Sequence, residues 1–259
     1  MPYNALWWIL VRSGRSQAHR ARREIAGASS MKPLHLFVFF ISFGFIGSAA
    51  QAPFSKWTLA QAQQVLNSSP WARQETYTDV VGGVGSGISG EKEIFNTFYI
   101  RFVSARPIRE ALARIQQIQY GYDGLSAEDK SRFDSYAQGN LLSGFGGWVV
   151  VAVSFRSNDP NQESDVRRFF ESETAETLKS KAFLSTRQFS QIPIHTYFPP
   201  RDEGIGAKFI FPRSVDGTPV VTDSGKFITF ELLDVPAASP RLRARFSMKD
   251  MVVDGKLLF

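Results

Sequence analysis

The chain has 259 residues, 43% hydrophobic and 14% aromatic, enough apolar content for a packed core and against global disorder. Its net charge of +6 sits at the N-terminus: residues 1–50 hold six basic residues and one acidic, leaving 24 basic and 23 acidic from Gln51 onward. That near-neutral remainder excludes a bulk electrostatic drive toward nucleic acid. The absence of cysteine excludes disulfides, thiol catalysis, a lipidated cysteine and thiolate metal sites.

Residues 1–30 carry ALWWILV and the Arg-rich HRARRE before Met31. Residues 31–52, MKPLHLFVFFISFGFIGSAAQA, have the order of a secretory signal: Lys32, an apolar run from Leu36 to Ile46, then small residues. The reading is a targeting region over 1–52, with a signal peptide over 31–50, cleavage after Ala50 and translation starting at Met31. Export to the periplasm or medium follows. The apolar run is short for a membrane span, which takes about 20 residues. The alternative is an uncleaved anchor over 34–50, and membrane contact is expected only in that case.

Next, TLAQAQQVLN opens with Thr58 and Gln61 in a capping-box pattern and places Leu59, Ala62, Val65 and Leu66 at helical spacing. Trp57 and Trp71 flank this helix and are expected to pin it to the fold. VVGGVGSGISGEKE follows, where Gly85, Gly87 and Gly90 spell G-x-G-x-x-G. A phosphate cradle there needs a helix after the glycines, yet IFNTFYIRFV reads as a strand, and Glu91 and Glu93 would repel phosphate. The stretch is read as a flexible connection, so residues 53–94 form an N-terminal helix and linker ahead of an α+β domain over 95–259.

Within that domain, PIREALARIQQIQ predicts a helix with Pro107 in its first turn and i,i+4 pairs Arg106–Glu110 and Glu110–Arg114. SAEDKSRFDSYAQG predicts another, capped by Ser126. GFGGWVVVAVSFRS reads as a buried strand, and DVRRFFESETAETLKSKAF is helical in its first part. The last seventy residues supply short β-like runs (AFLSTRQFSQIPIHTYFPP, AKFIFPR, KFITFELLDV, LRARFSM, MVVDGKLLF) punctuated by Asp216-Gly217, Asp223-Ser224-Gly225 and Asp254-Gly255 turns. The fold class expected is α+β, an antiparallel C-terminal sheet packed with a few helices from the first half.

At WTLAQAQQVLNSSPWARQ, FYIRFVSARPIREAL, KFIFPR and KDMVVDGKLLF, covering most of the chain after the signal, the sequence resembles an uncharacterised family of exported bacterial proteins with no assigned activity. The resemblance implies export and lends no catalytic residue.

Catalytic candidates are few. His195, in IPIHTYF on an expected strand, is the one histidine left after the targeting region, so a multi-histidine zinc site has no material. A Ser–His–Asp hydrolase needs only one histidine, but no G-x-S-x-G elbow is present. Among carboxylate pairs, Asp202-Glu203 after Pro199-Pro200 is the one in a loop suited to a site, whereas Glu128-Asp129 belongs to a helix N-terminus. No calcium-loop pattern occurs, and neither cofactor nor metal is expected. Ser104, Arg106 and Arg109 lie where a strand meets a helix N-terminus and are candidates for holding an anion. The leading expectation is an exported binding or interaction protein for an unknown envelope or extracellular ligand, without nucleic acid. The alternative is a secreted hydrolase using His195 or the Asp202/Glu203 loop.

Overall fold

Alternation and turn chemistry divide the body into strands, and most helices open at a side-chain cap. In the computed structural model, residues 53–82, 91–201, 205–222, 225–238 and 240–259 are described. The elements in order are α1 (Leu59–Asn67), β1 (Ala72–Gly82), β2 (Glu91–Phe102), α2 (Arg106–Gln119), α3 (Ala127–Asn140), β3 (Trp148–Ser157), α4 (Pro160–Ser172) and α5 (Ala175–Leu178). Then come β4 (Ala182–Thr186), β5 (Ile192–Pro193), β6 (Thr196–Phe198), β7 (Ala207–Pro212), β8 (Ser214–Val215), β9 (Thr218–Pro219), β10 (Phe227–Leu233), β11 (Arg241–Ser247), β12 (Val252–Val253) and β13 (Lys256–Leu257). Pro53–Phe259 form one compact unit, and the fold is α+β with antiparallel sheets.

The late strands do not all join one sheet. The first sheet runs β1-β2-β3-β7-β6 and the second β11-β10-β4-β5, every pairing antiparallel. Period-2 alternation gives each sheet an inner face: Phe98, Ile100 and Phe102 from β2, Val149, Val151 and Val153 from β3, and Phe209 and Phe211 from β7. Opposite them lie Leu184 on β4, Ile228, Phe230 and Leu232 on β10, and Leu242, Ala244 and Phe246 on β11. Phe209 meets Phe230 at 5.3 Å between ring centroids, and Phe102 meets Phe246 at 4.6 Å, joining the two sheets in one core. The Tyr197 hydroxyl donates to the Phe170 carbonyl at 2.6 Å and so ties β6 to α4; burial drives its pKa up.

Thr58 and Gln61 form both halves of the capping box, and Ser126 accepts from the Asp129 amide at 3.1 Å. Trp57 and Trp71 are buried, and the Trp71 indole N–H donates to the Leu258 carbonyl at 2.5 Å. Asp216-Gly217 and Asp254-Gly255 take positive φ and close the β8–β9 and β12–β13 hairpins.

Two local readings are corrected. Ala72–Gly82, expected as part of a linker, is β1, paired with β2 from Ala72↔Arg101 to Gly82↔Glu91. Its residues ARQETYTDVVG lack a clean apolar alternation because only part of one face reaches the core, where Tyr77 packs edge-on against Phe98. Gly85, Gly87 and Gly90 lie outside the described residues, but a strand follows them. The Glu110–Arg114 pair does not form. Arg114 is buried and donates to the Trp57 carbonyl at 2.7 Å, while Glu110 binds Arg106.

On the outer face of the first sheet, Arg101, Ala152 and Lys208 lie side by side in register. Arg101 donates to the Leu66 carbonyl (2.7 Å), Asn67 Oδ1 (2.8 Å) and Ser154 Oγ (2.8 Å), fastening the end of α1 to the sheet. Burial pulls its pKa down to about 10. Burial, then the charge of Arg201, pulls Lys208 down to about 8.

Candidate anion-binding sites

The sequence RLRARFS on β11 alternates strictly. Leu242, Ala244 and Phe246 enter the core, so Arg241, Arg243 and Arg245 all project outward. Across the ladder, β10 presents Phe227, Thr229 and Glu231 on the same face, with Thr229 opposite Arg245 and Glu231 opposite Arg243. Arg187, just after β4, and Lys226, just before β10, complete a groove of about 340 Å³ lined also by Arg243, Arg245, Phe227 and Thr229. Among the described residues no carboxylate lines it. Glu231 lies beside it and takes Arg243 at 3.0 Å and Arg241 at 3.8 Å. The Arg245 guanidinium lies on the Phe227 ring, which fixes its plane while leaving its edge to solvent. Basic side chains this close repel one another across water, and an anion in the groove relieves that repulsion. Sequence reasoning took LRARFSM only as a β-like run; the R-x-R-x-R spacing on a strand is the clue that would have found this face.

The α2 junction brings together some of the residues expected there. Ala105 is the N-cap and supplies no side-chain cap, and the first turn of α2 holds no acidic residue. Arg106 points outward, its side chain 67% exposed, and donates through Nε to Glu110 at 2.8 Å. Arg109 turns inward, 7% exposed, and its Nη1 donates to the carbonyls of Val103 (3.2 Å) and Ser104. The Phe145 ring lies 5.8 Å from its guanidinium carbon. Burial first, and then the charge of Arg106, hold the Arg109 pKa below its usual value; Glu110 acts the other way and Arg213 lowers it further. Ser104 is 4% exposed. Ser104 Oγ, Arg109 Nε and Arg213 Nε are buried without a hydrogen-bond partner among the described residues. Arg213 does donate through Nη2 to the main-chain oxygen of Phe259 at 2.7 Å.

His195 is not on a strand. It occupies the bend between β5 and β6, where its main-chain N–H donates to the Ile210 carbonyl at 2.8 Å. The imidazole is exposed and stacks on Trp148 with centroids 4.4 Å apart and planes 24° from parallel. No side-chain hydrogen bond joins it to a serine or carboxylate among the described residues. Asp202 and Glu203 lie outside the described residues, as does the targeting region. Glu128 and Asp129, read as helix-terminal charges, bind Arg132 at the start of α3. Among the described residues no three His, Asp or Glu gather where they could hold a metal, and no helix is long and apolar enough to cross a membrane.

No protein-family model, characterised protein or solved structure matches the chain.

Proposed function

We propose that this chain is an exported binding protein, acting in the cell envelope or outside the cell, whose ligand is an anionic polymer laid along the outer face of the second sheet. The observation that carries the reading is the arginine face itself: Arg187, Lys226, Arg243 and Arg245 around one open groove, with no carboxylate in its lining among the described residues. The signal-like sequence over residues 31–50 supports export, and the near-neutral remainder means that this charge is local rather than a property of the whole surface. A groove open along a sheet suits an extended ligand better than a compact one. Repeated phosphate or carboxylate groups match arginines spaced two residues apart on β11, roughly 7 Å.

Arginine is suited to this contact. Its planar fork takes two anionic oxygens at once, and it stays charged at any physiological pH. Thr229, between Ser185 and Arg245 across the ladder, is buried although it faces outward.

The test is a calorimetric titration of the purified protein with linear polyphosphate and a polyuronate, against neutral dextran, at low and moderate salt. Binding to the anionic polymers, weakened as salt rises, is the expected result. Equal binding to dextran, or none to either anion at low salt, contradicts the reading.

A further inference from the structure

We infer that a single small tetrahedral oxyanion, phosphate or sulfate, is held at the junction of β2 and α2 by Ser104, Arg109 and Arg213, separately from the arginine face. The junction begins with a chain constraint. β2 ends against β3, where the amides of Val103 and Ser104 both reach the Val150 carbonyl, and α2 starts two residues later. The 14-residue α2 thus opens at the sheet's end with neither a side-chain cap nor an acid in its first turn. Arg109, one turn in, folds back onto that opening, as its bonds to the Val103 and Ser104 carbonyls record. The segment carrying Phe145 and Gly147 meets the guanidinium of Arg109 and the main chain of Arg213. Phe145 faces Arg109, and the Gly147 carbonyl accepts from the Arg213 amide at 2.8 Å.

What points to a ligand is the unmet chemistry. Ser104 and Arg109 are each more than nine-tenths buried, and each keeps a polar atom with no partner among the described residues; Arg213 Nε is in the same condition. Buried donors are normally satisfied, and a guanidinium out of water needs charge compensation as well as hydrogen bonds. The Glu110 carboxylate bonds Arg106, not Arg109. A water molecule would supply acceptors but no charge. An oxyanion supplies both: oxygens for Arg109 Nε and Arg213 Nε, an acceptor for the Ser104 hydroxyl, and a negative charge at the positive end of the α2 dipole.

The experiment is thermal unfolding of the full protein in a non-coordinating buffer, with phosphate or sulfate compared to chloride at equal ionic strength. The expected result is a melting temperature that rises by roughly 5 °C and saturates at low millimolar phosphate or sulfate. Ser104→Ala should fold and need about tenfold more anion for half the shift, as loss of one hydrogen bond to a charged ligand implies. Arg243→Ser with Arg245→Ser should leave the shift unchanged, so this site and the arginine face fail separately. A shift that grows without saturation is general salt exclusion and overturns the inference. So does a shift indifferent to Ser104→Ala, one lost in the Arg243/Arg245 variant, or no difference from chloride. Arg109→Lys gives a second check: it retains the positive charge but removes the planar fork, so weaker binding is expected, and unchanged half-saturation overturns the assignment.

Discussion

The guanidinium carbon of Arg245 lies 3.7 Å from the centroid of the Phe227 ring. Both residues are on the outer face of the second sheet, Phe227 at the start of β10 and Arg245 near the end of β11. The ring holds one cation of the groove in a fixed plane, so less of its freedom is lost when an anion arrives. Phe227→Ala is expected to weaken binding of the anionic polymer by about threefold to fivefold, corresponding to the ~1 kcal/mol of an exposed cation–π contact. Stability should change little, because Phe227 is largely outside the core. Calorimetric titration and a denaturant melt on the same preparation check both halves.

Arg101 joins α1 to the first sheet through three hydrogen bonds, to the Leu66 carbonyl, Asn67 Oδ1 and Ser154 Oγ. Arg101→Met should fill a similar space but strand buried acceptors. The expected loss is on the order of 2–4 kcal/mol of unfolding free energy, measured by urea titration. Arg101→Lys should recover only part of it, since one ammonium cannot span three acceptors.

Gly206 occupies φ +101° directly before β7, and a Cβ there would stand 2.0 Å from the Val153 carbonyl oxygen. No rotation of a neighbouring side chain relieves a clash with backbone. Gly206→Ala is expected to break the β3–β7 pairing near Ala207↔Val153, with a cost above about 2 kcal/mol. Hydrogen exchange should show amides of residues 207–209 losing protection first.

Lys208 sets the pH dependence. Its pKa falls from an ordinary 10.5 to about 8 in the folded chain, through burial and then Arg201. Between those values the unfolded chain binds more protons than the folded one, so stability rises with pH across that window. Below about pH 8 the lysine is charged in both states, and the cost of burying that charge is fully present. The gain from pH 8 to 10 should be on the order of 2 kcal/mol. Lys208→Met should flatten this rise and be relatively more stabilising at pH 7 than at pH 10. Chemical denaturation at pH 7, 8, 9 and 10 for both proteins measures it, and parallel curves would refute the assignment.

Features governed by neighbouring residues were legible in the sequence. The Thr58–Gln61 capping box, the Ser126 cap and the Asp-Gly hairpins all depend on residues within four positions, and each is in place. Features governed by distant partners were not. β1 carries few apolar residues and is a strand because β2 offers it a register; β6 and β7 leave the other late strands for the first sheet because β7 finds β3. At the candidate sites, Ser104, Arg106 and Arg109 were singled out together, but spacing could not say that Arg106 turns to Glu110 while Arg109 turns inward. Arg213 joins them only through the Trp148↔Pro212 end of the β3–β7 pairing, more than a hundred residues from Ser104 in the chain. The arginine face was available as R-x-R-x-R once β11 was read as a strand with one face in the core.

Under the proposed function, the outer face of the second sheet binds an anionic polymer. The most direct measurement is the affinity of the purified protein for linear polyphosphate, set beside Arg243→Ser/Arg245→Ser and an exposed arginine elsewhere, Arg132→Ser on α3. The expected loss is about tenfold or more for the double variant, with a shallower salt dependence, and less than about twofold for Arg132→Ser. Equal losses in the two variants, or none in the double variant, would contradict it.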